Sequence, residues 1–91
     1  MTAVPAQQIA EDVRRYILEN FLYTRPDFQL TDEMPLLDRG VIDSMGVLEL
    51  VQFLQDQIRL EVRDEQITEE NLGTVARIVA FVEREKGASR G

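Results

Sequence analysis

Asp43 and Ser44 adjoin where a stretch broken by Pro26, Pro35 and Gly40 gives way to apolar residues at helical spacing. Both residue types are favoured at a helix start, because a side-chain oxygen there satisfies a backbone N–H that has no partner within the helix. Such a position can also carry chemistry, since it leaves a hydroxyl at the surface for another molecule to reach. Met45 and Leu48 follow the pair. They lie about 100° or more around the helix from the apolar face of Val47, Val51 and Leu54. Two large apolar residues beside a helix-start serine, in so small a chain, suggest a docking surface. A plain cap and a reactive serine beside a docking surface both fit these residues.

Missing residue types narrow what the hydroxyl could do. The 91 residues include no cysteine and no histidine. Disulfides and thiolate metal sites are therefore impossible, and the usual nucleophile–base pairs and zinc ligands are absent. The expectation is a non-catalytic protein with no catalytic residues and no metal centre of its own. Asp38 and Glu49 stand at the first and last positions of a window of EF-hand length, the spacing of a calcium loop. Gly40 and Ile42 occupy the third and fifth positions, which need side-chain oxygens, and Asp43 stands where the loop needs glycine. That reading fails.

The charge balance bounds the partners. Ten basic against 17 acidic residues give a net charge of −7, which disfavours nucleic acid and anionic membrane surfaces and suits partners with basic patches. The longest apolar run, Ile78 to Val82, is far shorter than the ~20 residues a bilayer requires. The first residues lack the basic start and apolar stretch of a secretory signal. A cytoplasmic protein without membrane insertion is expected, and the small exposed apolar area predicts a monomer.

The elements that must position the pair follow from periodicity. Ile9, Val13, Ile17 and Phe21 recur every fourth residue with Tyr16 between them, predicting a first helix from Pro5 to Leu22 with the proline in its first turn. A long loop follows from Tyr23 to Asp43. Its apolar residues, among them Phe28, Leu30, Leu36, Leu37, Val41 and Ile42, are expected to pack against the helices. For Phe28, Leu36 and Leu37 core packing is preferred over lining a cavity for a cargo chain. The second helix runs from Ser44 to about Ile58, with Val47, Leu50, Val51, Leu54 and Ile58 on one face. Leu60 to Gln66 reads as a charged connection. Thr68 caps a short turn through Leu72, and Thr74 caps a last helix to about Lys86, ended by Gly87, with Val75, Ile78, Val79 and Val82 inward. The chain is thus read as one all-α domain over 1–91, a bundle of three long helices and one short one. Its core spans about 5–86, with a flexible tail at 87–91.

The run Gly40-Val41-Ile42-Asp43-Ser44-Met45, with Leu48-Glu49-Leu50 after it, resembles the attachment motif of acyl carrier and peptidyl carrier proteins. The resemblance extends over about residues 6 to 86 and takes in the connection from Leu60 to Thr68. It implies 4′-phosphopantetheine on Ser44, added from coenzyme A by a phosphopantetheinyl transferase, with acyl or aminoacyl cargo held as a thioester. It implies that Asp43 caps the helix and meets the transferase, and that Met45, Leu48 and Glu49 dock partners; Asp56, on a similar side of the helix, is expected to join them. Those partners would be an acyl- or aminoacyl-activating ligase and a downstream synthase or transferase. Carriers of fatty acid synthesis show a denser acidic stripe on the second helix, where this chain has Gly46, Gln52, Gln55 and Gln57. The departure leans toward a dedicated polyketide, nonribosomal peptide or aminoacyl-transfer pathway. The Asp-Ser-Met-Gly run is similar to carriers of D-alanine, although the rest of the chain reads as following them poorly. An unmodified interaction module of the same fold is the alternative.

Overall fold

A computed structural model describes residues 6–25 and 27–90, and of residues 6 and 87–90 the backbone alone. Among the described residues there are four α-helices and no strands: α1 (Ala6–Phe21), α2 (Ser44–Asp56), α3 (Glu69–Leu72) and α4 (Val75–Arg90). A single 3-10 turn at Asp64–Gln66 precedes α3. Pro5, expected in the first turn of α1, lies outside the described residues. The all-α bundle with a long first loop is the expected architecture.

The core forms where the helical faces converge. Ile9, Val13 and Ile17 of α1, Leu50 and Leu54 of α2, and Val75, Ile78, Phe81 and Val82 of α4 are almost entirely removed from water. Each such side chain contributes roughly 1.5–3 kcal/mol relative to an exposed one. Two threonines start the later helices as expected. The Thr68 hydroxyl accepts the Asn71 N–H at 3.2 Å, and the Thr74 hydroxyl accepts the Arg77 N–H at 3.1 Å.

Several expectations need correction. α2 ends at Asp56, after which Arg59 takes a left-handed φ of 63° and the Leu60 N–H reaches back to the Leu54 carbonyl at 3.0 Å. The connection that follows is not merely charged, because Leu60, Val62 and Gln66 are buried while the residues between them face out. Gly87 does not end α4, whose backbone continues to Arg90. Glycine terminates a helix when the chain must turn away, and no turn follows here.

The long loop is fastened at two points along its middle. Arg14 of α1 donates to the Leu30 carbonyl and, at 2.8 Å, to the Asp32 carboxylate. The Asp32 carbonyl accepts the Ala76 N–H at 2.9 Å, so this part of the loop is tied to α1 and α4 together. Leu36 is the second anchor. Its side chain is fully buried, its N–H donates to the Gly73 carbonyl, and its carbonyl accepts the N–H groups of Val41 and Ile42. That knot delivers the chain to Asp43.

Candidate functional site

Asp43 is the N-cap of α2. Its backbone is extended, with φ −108° and ψ −173°, and its carboxylate accepts the Gly46 N–H at 2.8 Å. Its carbonyl also accepts the Val47 N–H at 3.0 Å. Ser44 is the first residue of the helix and is exposed. Because Asp43 supplies the cap, the serine hydroxyl is not used up in holding the helix together. Its place in the first turn also puts it beside the positive end of the helix dipole, which favours an anionic substituent.

Gly46 fixes how close α1 comes to this corner. A β-carbon at position 46 would stand 2.9 Å from the Phe21 ring and 3.1 Å from the Ile42 β-carbon. The ring of Phe21 meets Tyr16 edge-on at 5.8 Å, and Tyr16 stacks on Phe53 of α2 at 4.3 Å. Three aromatic rings therefore bridge α1 to α2 over most of the length of the second helix. Periodicity alone missed Gly46 and Phe53, since both lie on the flank of the α2 apolar face rather than at its centre.

An open groove of about 620 Å³ surrounds the serine, lined by Phe21, Leu37, Val41, Asp43, Met45 and Glu49 among others. Met45 is 67% and Leu48 54% exposed, so both stand clear of the core as their wheel positions require. Leu37 overturns its expectation of core packing. It is 46% exposed and lines the groove, whereas its neighbour Leu36 is fully buried and Phe28 is half-buried beneath the Arg25 guanidinium. The short turn through Pro35–Gly40 points consecutive leucines in opposite directions.

The structure divides the expected docking residues between two surfaces. Ser44, Asp43, Met45 and Glu49 share the groove at the head of α2. Asp56 lies farther along, where it accepts a hydrogen bond from Gln52 at 3.1 Å and lines a separate cleft between α1 and α2. Glu49 belongs to both surfaces. Leu48 lines neither.

No family profile matches the chain. An acyl carrier protein from Exiguobacterium sibiricum is 32% identical over 77 residues, which is 85% of this chain and 92% of that protein. The chain belongs to the acyl carrier protein family. D-alanyl carrier protein 1 from Lactiplantibacillus plantarum is 37% identical over 60 residues, 66% of this chain and 75% of that protein. The expectation that the chain follows D-alanine carriers poorly beyond the motif is thereby corrected. A protein of a Serratia species described as "Probable acyl carrier protein PigG" is 32% identical over 57 residues, 63% of this chain and 66% of its own length. Among the described residues of this carrier protein, no helix is long and apolar enough to cross a membrane.

Proposed function

We propose that this carrier protein holds an acyl or aminoacyl intermediate on a 4′-phosphopantetheine arm attached to Ser44. The observation that carries the reading is an exposed hydroxyl in the first turn of α2, left free because the adjacent carboxylate takes the cap. The surroundings suit the group. The first-turn dipole favours the phosphodiester, and Leu37 and Met45 offer apolar contact to either side of the attachment point. The arm supplies a thiol that forms the thioester, chemistry that a chain without cysteine has no other means to perform. Asp43 holds the helix start and presents a carboxylate to the modifying transferase, whose magnesium belongs to that enzyme.

Met45, Leu48 and Glu49 are the residues that partner enzymes meet first, with Asp56 contributing charge from farther along. Carboxylates on such a rim accelerate encounter with basic surfaces more than they deepen affinity. The partners fitting this role are a phosphopantetheinyl transferase, an activating ligase and a downstream synthase or transferase, acting in the cytoplasm. A dedicated biosynthetic pathway is favoured over housekeeping fatty acid synthesis. Gln52 and Gln55 stand along α2, with Gln57 just past its end, where a denser acidic stripe would mark the latter, and the likeness to a D-alanyl carrier supports aminoacyl cargo.

Intact mass spectrometry after incubation with coenzyme A and a promiscuous phosphopantetheinyl transferase tests the attachment. The wild-type chain should gain the mass of one arm and Ser44→Ala should gain none. An unchanged mass across several transferases, with the protein folded, would leave an interaction module without an arm.

A further inference from the structure

A thioester is an activated acyl group, and the chain that carries it brings its own side chains within reach. A cysteine thiolate would take the acyl group by exchange, a histidine imidazole would pass it to water, and a lysine amine would keep it as an amide. The 91 residues contain no cysteine, no histidine and a single lysine, Lys86, against nine arginines. A guanidinium stays protonated and has no lone pair to offer, so arginine supplies positive charge without supplying a nucleophile. The loop that leads to Ser44 has Arg25 and Arg39 as its basic residues, and α1 has Arg14 and Arg15. Lys86 is half-buried, and its Nζ donates to the Ile58 carbonyl at 2.9 Å, just past the C-terminal end of α2. Ser44 begins that same helix, and 13 residues at roughly 1.5 Å each set the two ends about 20 Å apart. The amine lines a hollow with Arg59, Leu60 and Arg63 that shares no residue with the groove around the serine.

We propose that the chain is built to be inert toward the thioester it carries, with its positive charge supplied as arginine and its one lysine amine fastened at the far end of α2 from Ser44. Cargo is then not lost to the carrier itself. The proposal rests on the Ser44 reading. The reaction avoided is aminolysis. The lone pair of a lysine Nζ attacks the thioester carbonyl carbon, a C–N bond forms, the C–S bond breaks, and the sulfur leaves with the proton that the nitrogen gives up. The arm would end as an empty thiol and the lysine as an amide that no longer releases its acyl group. For Lys86 to react, it must leave the Ile58 carbonyl as a free amine, and the arm must lie back along the whole of α2 to meet it. The effective concentration of a tethered group falls away where the tether can barely span the distance. Arg39, by contrast, stands in the turn that delivers the chain to Asp43, where an amine would lie within the sweep of the arm.

The test loads the full chain from butyryl-coenzyme A with a promiscuous phosphopantetheinyl transferase, confirms loading by intact mass, and incubates the product in mildly alkaline buffer. Hydroxylamine then cleaves thioesters and spares amides, so the acyl mass that survives it measures transfer to the chain, and proteolysis maps the residue. The wild type should hold almost no resistant acyl group. Leu37→Lys puts an amine in the wall of the serine groove, and Arg39→Lys puts one in the turn before it. Each should form amide at the new lysine at least about tenfold faster than the wild type does at Lys86, at a rate unchanged by dilution, as transfer within one molecule requires. Lys86→Arg keeps the charge, removes the amine and should leave the thioester lifetime as it was. A longer lifetime in Lys86→Arg, acylation of Lys86 as fast as of the new lysines, or no acylation in either new-lysine variant would overturn the proposal while the arm stands. A chain that gains no mass at the loading step would instead remove the Ser44 reading, and this proposal with it.

Discussion

The ring edge of Phe21 stands where the β-carbon of any larger residue at position 46 would have to go, 2.9 Å from the ideal site of that atom. In an ordinary helix, glycine to alanine is stabilising by up to ~1 kcal/mol, but forcing extra atoms into a packed contact costs about 1–3 kcal/mol. Ile42 crowds the same site at 3.1 Å from a branched carbon close to its own backbone, so the crowding term should win. Gly46→Ala is expected to lower stability by about 0.5–2 kcal/mol in urea denaturation. Combined with Phe21→Ala it should cost less than the sum of the two single changes. Strict additivity would show that the contact carries no weight.

Leu36 and Leu37 offer a paired test of the loop. Leu36→Ala removes a fully buried side chain and should cost about 2–5 kcal/mol, whereas Leu37→Ala should stay within about 0.5 kcal/mol of wild type. Because Leu37 borders the serine groove, Leu37→Ala should instead slow modification by a phosphopantetheinyl transferase, read as a fall in kcat/KM with an unchanged melting temperature. An unchanged rate would exclude Leu37 from that contact.

These two leucines also mark the limit of what the sequence discloses. Ile9, Val13 and Ile17 declare α1 by their spacing, and Thr68 and Thr74 declare the caps of α3 and α4 by their chemistry. Asp43 and Ser44 were legible as a helix start for the same reason. A loop offers no period, so nothing in the Leu-Leu pair tells which member faces in; the turn through Pro35–Gly40 decides it. In sequence Gly46 is only a gap in a charged stripe, because the approach of Phe21 depends on the angle between two helices, which no local pattern encodes. The cleft residues Asp12 and Glu19 stayed hidden because α1 reads as an ordinary amphipathic helix until α2 is laid beside it.

Asp43→Ala and Asp43→Asn should separate the two roles given to this carboxylate. Loss of the cap in Asp43→Ala should destabilise the protein by about 0.5–2 kcal/mol, while asparagine, an equally good cap, should keep nearly full stability. Asp43→Asn is nevertheless expected to be modified more slowly, measured by mass spectrometry against time. Wild-type rates for the asparagine variant would confine Asp43 to its structural role.

Tyr16 makes stability depend on alkaline pH. Burial first, and then the charge of Glu49, raise its pKa above the ordinary 10.0. The unfolded chain therefore releases the tyrosine proton at lower pH than the folded chain does. The associated stability is complete below pH 10 and is lost as pH rises through the higher folded value. Melting temperatures from pH 8 upward should show a decline that is shallower in Tyr16→Phe and partly relieved in Glu49→Gln. Identical slopes in all three proteins would refute the linkage.

Arg59 sits in the left-handed region at φ 63°, a conformation that costs a residue with a side chain about 1–2 kcal/mol and glycine almost nothing. Arg59→Gly should therefore stabilise the protein by about 0.5–1 kcal/mol after the greater chain entropy of unfolded glycine is deducted. Thermal unfolding at two or more denaturant concentrations would measure it, and a net loss would mean that the arginine side chain contributes more than its backbone strain costs.

Leu36 gives the molecule an unexpected line of inheritance. Its amide hangs from the Gly73 carbonyl at the corner between α3 and α4, and its carbonyl steers Val41 and Ile42 into the approach to Asp43. The hydroxyl is thus aimed from a corner some thirty positions away in the chain. Substitutions there could leave the attachment motif intact letter for letter and still turn its serine aside, so the motif by itself does not guarantee a working carrier.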